Sequence, residues 1–324
     1  MIGWRNLAIR AAGAALALTL SLPAHAEYPD RLVKIIIAFP PGSALDALTR
    51  LVGGELSNVW GQPVIIENIS GGVGNIGTDR FSRSEPDGCT LLSSPPGPLI
   101  FNNLLFKDTR YDATSFEPIS VMAKLPNVLL VRKDFPARDP VEFVDLAKKN
   151  PGKFTYASQG VTSTGFLTAK LFETRTGASM THVPYRGAGP ALSDIAAGQV
   201  DMMFDVIMTS APLHKGGVAK IIGVAGEERS PALPDIPTFA EAALPGFQSY
   251  SWFALAAPAR APSAIVEKIS RDVQAIVHRP DFSAKLRGMM YQPVGDASAE
   301  MEAFLREETK TWSDLIATLH LEPQ

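Results

Sequence analysis

Cysteine is almost missing from these 324 residues: Cys89 is the only one. An internal disulfide is therefore excluded, and the chain must be stabilised by core burial. Cys89 opens the strand-like run CTLLSS, where an inert buried thiol is expected. Histidine is also scarce. His182, His214, His278 and His320 lack any HxxxH-type spacing, so no metal site is expected. GxSxG is absent as well, which removes the usual hydrolase elbow. Long apolar runs are missing beyond the N-terminus, and nothing else approaches the ~20 residues that a membrane helix needs. Basic charge is in short supply: 30 Lys and Arg stand against 33 Asp and Glu. That balance argues against nucleic acid, whose binding rests on neutralising phosphates, and against a lipid-surface role.

The N-terminus carries an address. Arg5 and Arg10 precede the apolar stretch Ala11–Leu22, and Ala24-His25-Ala26 fits the small-x-small cleavage pattern. Residues 1–26 are read as a signal peptide, with an uncleaved anchor as the alternative. Cleavage near Ala26 leaves 28 basic and 33 acidic residues, a formal charge of −5. The remaining ~298 residues exceed one ordinary core, so two domains are expected.

Strand-like and helix-like patterns alternate along the rest. LVKIIIAF (32–39) is an apolar, β-branched run, PPGS (40–43) breaks it, and residues 44–60 have helical spacing behind the N-cap candidate Ser43. Strands follow at 63–68, 90–94, 127–133, 154–158, 181–185, 199–205, 219–225 and 251–258. Helices are placed near 75–84, 140–149, 166–176, 190–197, 206–215, 262–278, 280–289 and 298–318. Asp139-Pro140 with Glu142 reads as a capping box. The rhythm implies βαβ units, an α/β fold and largely parallel sheets. Such sheets bind ligands beyond the carboxyl ends of their strands, which points to loops 40–43, 94–98, 158–164 and 205–209.

Two of these loops have the makings of an anion site. FPPGSALD (39–46) and SQGVTSTG (158–165) each join a strand to a helix start, where N–H groups lack intrahelical partners. Phe39, Pro41, Gly42, Ser43 and Asp46 form the first candidate set. Ser158, Gly160, Thr162, Ser163 and Thr164 form the second. Facing each other across a cleft, they would hold one carboxylate from both sides. Ordinary βα turns are the alternative. Ser94 ends the third strand, and Asp205 ends DMMFD, where it either receives a ligand donor or caps a helix. Gly72-Val73-Gly74-Asn75-Ile76-Gly77 matches GxGxxG, but the next strand ends in Ser93, Ser94 and Pro95 instead of the acidic residue that binds a ribose. It is read as a structural turn, and no cofactor is expected.

Together these segments resemble the substrate-binding proteins of tripartite tricarboxylate transporters, the Bordetella uptake gene (Bug) family. The resemblance is carried by YPDRLVKIIIAFPPG (28–42) with Asp46, GQPVIIEN (61–68), GNIGTD (74–79), PDGCTLL (86–92) and PNVLLV (126–131). It continues through PGKFTYAS (151–158), residues 182–205, residues 229–247 and SWFALAAPARAP (251–262). It implies a periplasmic binding protein type II-like fold with a ligand cleft between two α/β domains. Domain 1 would be 27–124 plus 250–324, and domain 2 would be 125–249. It further implies a carboxylate ligand gripped mainly by amides of loops 40–46 and 158–164, with Asp205 at the pocket and integral permease subunits as partners. A monomeric receptor in the periplasm is the expectation. A ligand sensor without a permease, or a secreted α/β enzyme, is the alternative. The chain departs from the family's usual FPAGG loop, because Pro41 removes an amide donor. Ser94-Pro95-Pro96-Gly97-Pro98 also offers few donors, and Phe166 stands where histidine is common. These changes point to a ligand with an apolar or aromatic body.

Overall fold

The computed structural model describes residues 28–319. The signal-peptide reading of residues 1–26 lies outside the described residues. Strands β1 (Val33–Ile37), β2 (Val64–Asn68), β3 (Thr90–Ser94), β4 (Phe116–Arg132), β5 (Thr155–Ser158), β6 (Thr181–Pro184), β7 (Met202–Val206), β8 (Ala219–Val224), β9 (Tyr250–Pro258) and β10 (Gln292–Pro293) form one sheet. The helices are α1 (Ala44–Trp60), α2 (Asn75–Ser82), α3 (Asn102–Leu105), α4 (Pro140–Lys149), α5 (Thr164–Thr176) and α6 (Ala188–Ala196). They continue with α7 (Ile207–Lys215), α8 (Phe239–Ala242), α9 (Ser263–His278), α10 (Pro280–Gly288) and α11 (Ser298–Thr318).

The sheet order is β2-β1-β3-β9-β4-β7-β5-β6, with β8 and β10 also paired to β4. The expectation of largely parallel sheets needs correction. Among the named strands, parallel pairing is confined to β2-β1-β3 and to β6-β5-β7. Between them lie β9 and β4, antiparallel to each other and to their outer neighbours. The first part of β4 pairs with β9 and β10, and the part from Asn127 onward with β7 and β8. One 17-residue strand thus runs through both halves of the sheet. The sequence pattern marks only its second part. Pro118, Lys124 and Pro126 interrupt the first, and the register shifts between Pro118 and Ser120 and between Val121 and Ala123. Bulges accommodate proline in a strand that still buries its apolar residues.

Local chemistry sets the helix ends. Ser43 caps α1 through a bond from the Asp46 amide, and Gly61 closes the helix in the left-handed conformation. Asp139 caps α4, but Glu142 accepts from the Arg138 amide (2.9 Å), one residue before the position a capping box uses. Cys89 sits just before β3 and is partly buried rather than fully buried.

The half of the sheet around β7 is packed by phenylalanine. Phe172 of α5 meets Phe143, Phe204, Phe239 and Phe247, with ring centroids 4.8–6.3 Å apart. These rings hold α5 against the sheet, and at its start the approach is closer still. A Cβ on Gly165 would run into the Phe204 carbonyl oxygen of β7. We expect Gly165→Ala to cost about 1–3 kcal/mol, as overpacking does. Urea denaturation measures this, and an unchanged midpoint would contradict the close approach of α5 to β7.

Candidate functional site

β1 and β5 both end in loops that turn into helix starts, and the structure brings those loops to opposite walls of one cleft. A cavity of about 100 Å³ lies there. Phe39, Val73, Pro95, Pro96 and Gly97 line one wall, Gln159, Thr162, Ser163 and Thr164 the other, and Ser251 of β9 completes the lining. The walls nearly touch: a Cβ on Gly97 would lie 3.5 Å from the Thr162 carbonyl oxygen. No charged side chain lines this cavity. A bound anion would therefore be met by amides, hydroxyls and helix dipole.

The second loop is built to present donors. Gly160 takes a positive φ of 107°. Its amide donates to Ser158 Oγ (3.1 Å), and its carbonyl receives the Ser163 amide (3.0 Å) and hydroxyl (2.7 Å). Ser163 Oγ in turn accepts from the Phe166 amide, capping α5. The Thr164 and Gly165 amides, in the first turn, have no intrahelical acceptor. Thr162 Oγ1 is buried and makes no hydrogen bond, although the residue lines the cavity. An orphaned hydroxyl costs free energy unless something binds it. Behind the loop, Ser158 Oγ bonds His182 Nε2 (2.7 Å), and the imidazole packs against Tyr156 and Phe166.

The first loop is arranged differently. Phe39 lines the cavity, whereas Pro41 and Gly42 are exposed. Gly42, at φ 89°, donates its amide to Asp46 Oδ2 (3.1 Å) and not toward the cavity. Asp46 also receives Arg50 and Asn68, and Asn68 reaches the Phe39 carbonyl. Burial alone would raise the Asp46 carboxyl, but Arg50, the Gly42 amide and Asn68 outweigh it and hold it below the usual carboxylate range. Asp46 is thus a latch that fixes the loop. The donors left at this helix start are the amides that follow Ser43.

Two further sequence candidates sit behind the lining. Ser94 is buried and donates to the Pro95 carbonyl (2.9 Å). Asp205 is buried at the end of β7, accepting from Thr209, from Ser210 (3.2 Å) and from Gln159 Nε2 (3.2 Å). Burial pushes its carboxyl up, partly offset by Thr209, the Val206 amide, Ser210 and Gln159. Asp205 therefore ties the start of α7 and positions Gln159, whose side chain was not singled out from sequence. Val73 and Ser251 were missed too. Val73 lies inside the GxGxxG stretch, whose glycines serve close packing: a Cβ on Gly77 would meet the Ile69 carbonyl at 2.5 Å. Val73 takes a positive φ of 53° and lines the cavity beside Pro95 and Pro96, a placement no spacing rule announces.

Asp46→Asn should destabilise the protein by about 1–3 kcal/mol at neutral pH, as loss of charged hydrogen bonds does. A carboxyl held low in the fold gives stability that is present above its ordinary pKa and lost as pH falls through the folded value. The gap between wild type and variant in thermal melts should therefore close in acid, and a constant gap would contradict the latch. His182 gives a second pH test. Burial, then Lys170, lower its pKa, so its contribution is present above the ordinary imidazole value and fades as pH falls toward the lowered one. His182→Gln should flatten the loss of melting temperature between neutral and mildly acidic pH, and an identical slope would count against it.

Comparison with known proteins converges on one group. Residues 48–321 match the model described as "Tripartite tricarboxylate transporter family receptor". A protein encoded in the tcbD-tcbE intergenic region of a Pseudomonas sp. is 34% identical over 96% of this chain and 94% of its own length. Protein BugT of Bordetella pertussis is 28% identical over 92% of each chain. Among solved structures, R. palustris Rpa4515 with adipate has a TM-score of 0.85 at 33% identity, covering 92% of this chain and 100% of that one. MatC from Rhodopseudomonas palustris with bound malate has a TM-score of 0.79 at 32% identity, covering 89% and 100%.

Proposed function

This chain belongs to the tripartite tricarboxylate transporter receptor family, whose members are solute-binding receptors rather than enzymes, and on that premise we propose that its cleft captures a small organic carboxylate. The receptor works in the periplasm and delivers the acid to integral permease subunits. Residues 1–26 serve as its export signal. Residues 27–124 with 250–324 act as one domain and 125–249 as the other, moving about β4 and β9.

The observation that carries this reading is the unpartnered Thr162 hydroxyl beside the start of α5. A carboxylate oxygen placed there would accept from Thr162 and from the first-turn amides of α5. The other loop would close over it with the amides following Ser43. Adipate and malate named with the two R. palustris neighbours support a carboxylate. Phe39, Val73, Pro95 and Pro96 favour an apolar body on that acid. Closure expels water and strengthens the hydrogen bonds, and the ligand shifts the open–closed balance only by its preference for the closed form.

A thermal-shift screen of aliphatic and aromatic acids tests the class, since a ligand of the folded state raises the melting temperature. Thr162→Val then tests the geometry. It removes a hydroxyl that the empty fold leaves unsatisfied, so the variant should melt no lower than wild type, yet bind the best acid about tenfold more weakly. Unchanged affinity by calorimetry would remove Thr162 from the site, and a screen without any stabilising acid would overturn the reading.

A further inference from the structure

Consecutive residues of a strand point to opposite faces of its sheet, and β9 uses both. Ser251 lines the cleft, whereas Tyr250 and Trp252 line a second cavity of about 190 Å³. This rear cavity lies where both halves of the sheet meet. Phe304, Glu308 and Trp312 come from α11, and Leu171 comes from α5, the helix whose first turn faces the cleft. Tyr250, Trp252, Phe304 and Trp312 bring four aromatic rings to its lining, and Gln248, Ser249 and Thr311 are its neutral polar members. Trp252 meets Phe304 edge-on at 5.4 Å between centroids. Its two charges are already engaged. Glu308 Oε2 accepts both indole N–H groups, from Trp252 at 2.9 Å and Trp312 at 3.1 Å. The Lys124 ammonium sits 4.3 Å from the Phe304 ring centroid.

We propose that this rear cavity is a second ligand site, for an uncharged single-ring aromatic molecule, and that filling it favours the closed cleft. A cavity of roughly 150 Å³ lined by apolar side chains binds benzene; this one is somewhat larger and mixes its rings and leucines with neutral polar groups. Rings in the walls give an aromatic guest edge-to-face and stacked partners. A charged guest would meet no unspent counter-charge. The coupling follows from the hinge. Rotation about β4 and β9 that narrows the front moves α5 away from α11 at the back, so a guest between Leu171 and α11 holds the closed form. That coupling rests on the carboxylate reading of the cleft; the site itself does not.

Phenol is the probe. In spectra of the ¹⁵N-labelled mature chain, saturable addition of phenol should move the indole N–H signals of Trp252 and Trp312. The signal of Trp60, held by Asp272 elsewhere, should stay. No saturable shift, or a shift of Trp60 alone, overturns the site. Leu315→Trp and Thr311→Trp fill the cavity, and either variant that keeps the native melt should bind phenol at least tenfold more weakly; equal binding also overturns it. Saturating phenol should tighten the best acid about fivefold, and unchanged affinity overturns the coupling. Should no acid bind, the cleft reading fails while the indole signals still decide the rear site.

Discussion

Everything in this fold that matters for binding hangs on the antiparallel pairing of β4 with β9. Among the described strands β4 alone pairs with both halves of the sheet, and β9 joins it at nine positions from Phe116–Pro258 to Pro126–Tyr250. The pairing places the loop after β1 opposite the loop after β5. It also sets Ser251 into the cleft and its neighbours Tyr250 and Trp252 behind it. Where the pair meets α5, a buried cluster replaces apolar packing: Asn127 Nδ2 donates to Thr168 Oγ1 and Ser249 Oγ. Polar groups so buried must keep their partners, which restricts how the halves can sit.

The cleft shows how two similar-looking loops divide the work. At both, a strand runs into a serine-capped helix whose first amides lack intrahelical partners. At the first loop, however, Asp46 takes the Gly42 amide and spends its charge on loop geometry. At the second, the cap uses Ser163, the turn uses Gly160, and Thr162 is left with an unspent hydroxyl. Asp46 stands in the first turn of α1, whereas the first turn of α5 holds no acidic residue, which makes the α5 side the stronger donor. An acid with an apolar tail fits this asymmetry, since proline and phenylalanine form the facing wall.

Much of this was legible in the residues. The periods of 2 and 3.6 placed α1, α4 and α11 within a residue or so, and the resemblance named the group that the comparisons then gave. Helix-start physics selected loops 39–46 and 158–165; of their candidate residues Phe39, Thr162, Ser163 and Thr164 line the cavity, and the others do not. What stayed hidden has physical causes. Pro118, Lys124 and Pro126 masked the first part of β4: the register shifts after Pro118, whereas Lys124 and Pro126 pair regularly with Trp252 and Tyr250. Asp46 looked like a ligand partner although Arg50 stands four residues on along α1, and its further bond from Asn68 depends on tertiary placement. Val73 and Gln159 escaped because a positive φ and a bond to a buried carboxylate carry no periodic signal.

The most direct test is a crystal structure of the mature chain grown with the acid that stabilises it best. The account predicts a carboxylate oxygen within hydrogen-bonding distance of Thr162 Oγ1 and of the Thr164 or Gly165 amide, with the remainder of the ligand against Phe39 and Pro95. A carboxylate bound elsewhere, with Thr162 still unpartnered, would contradict it.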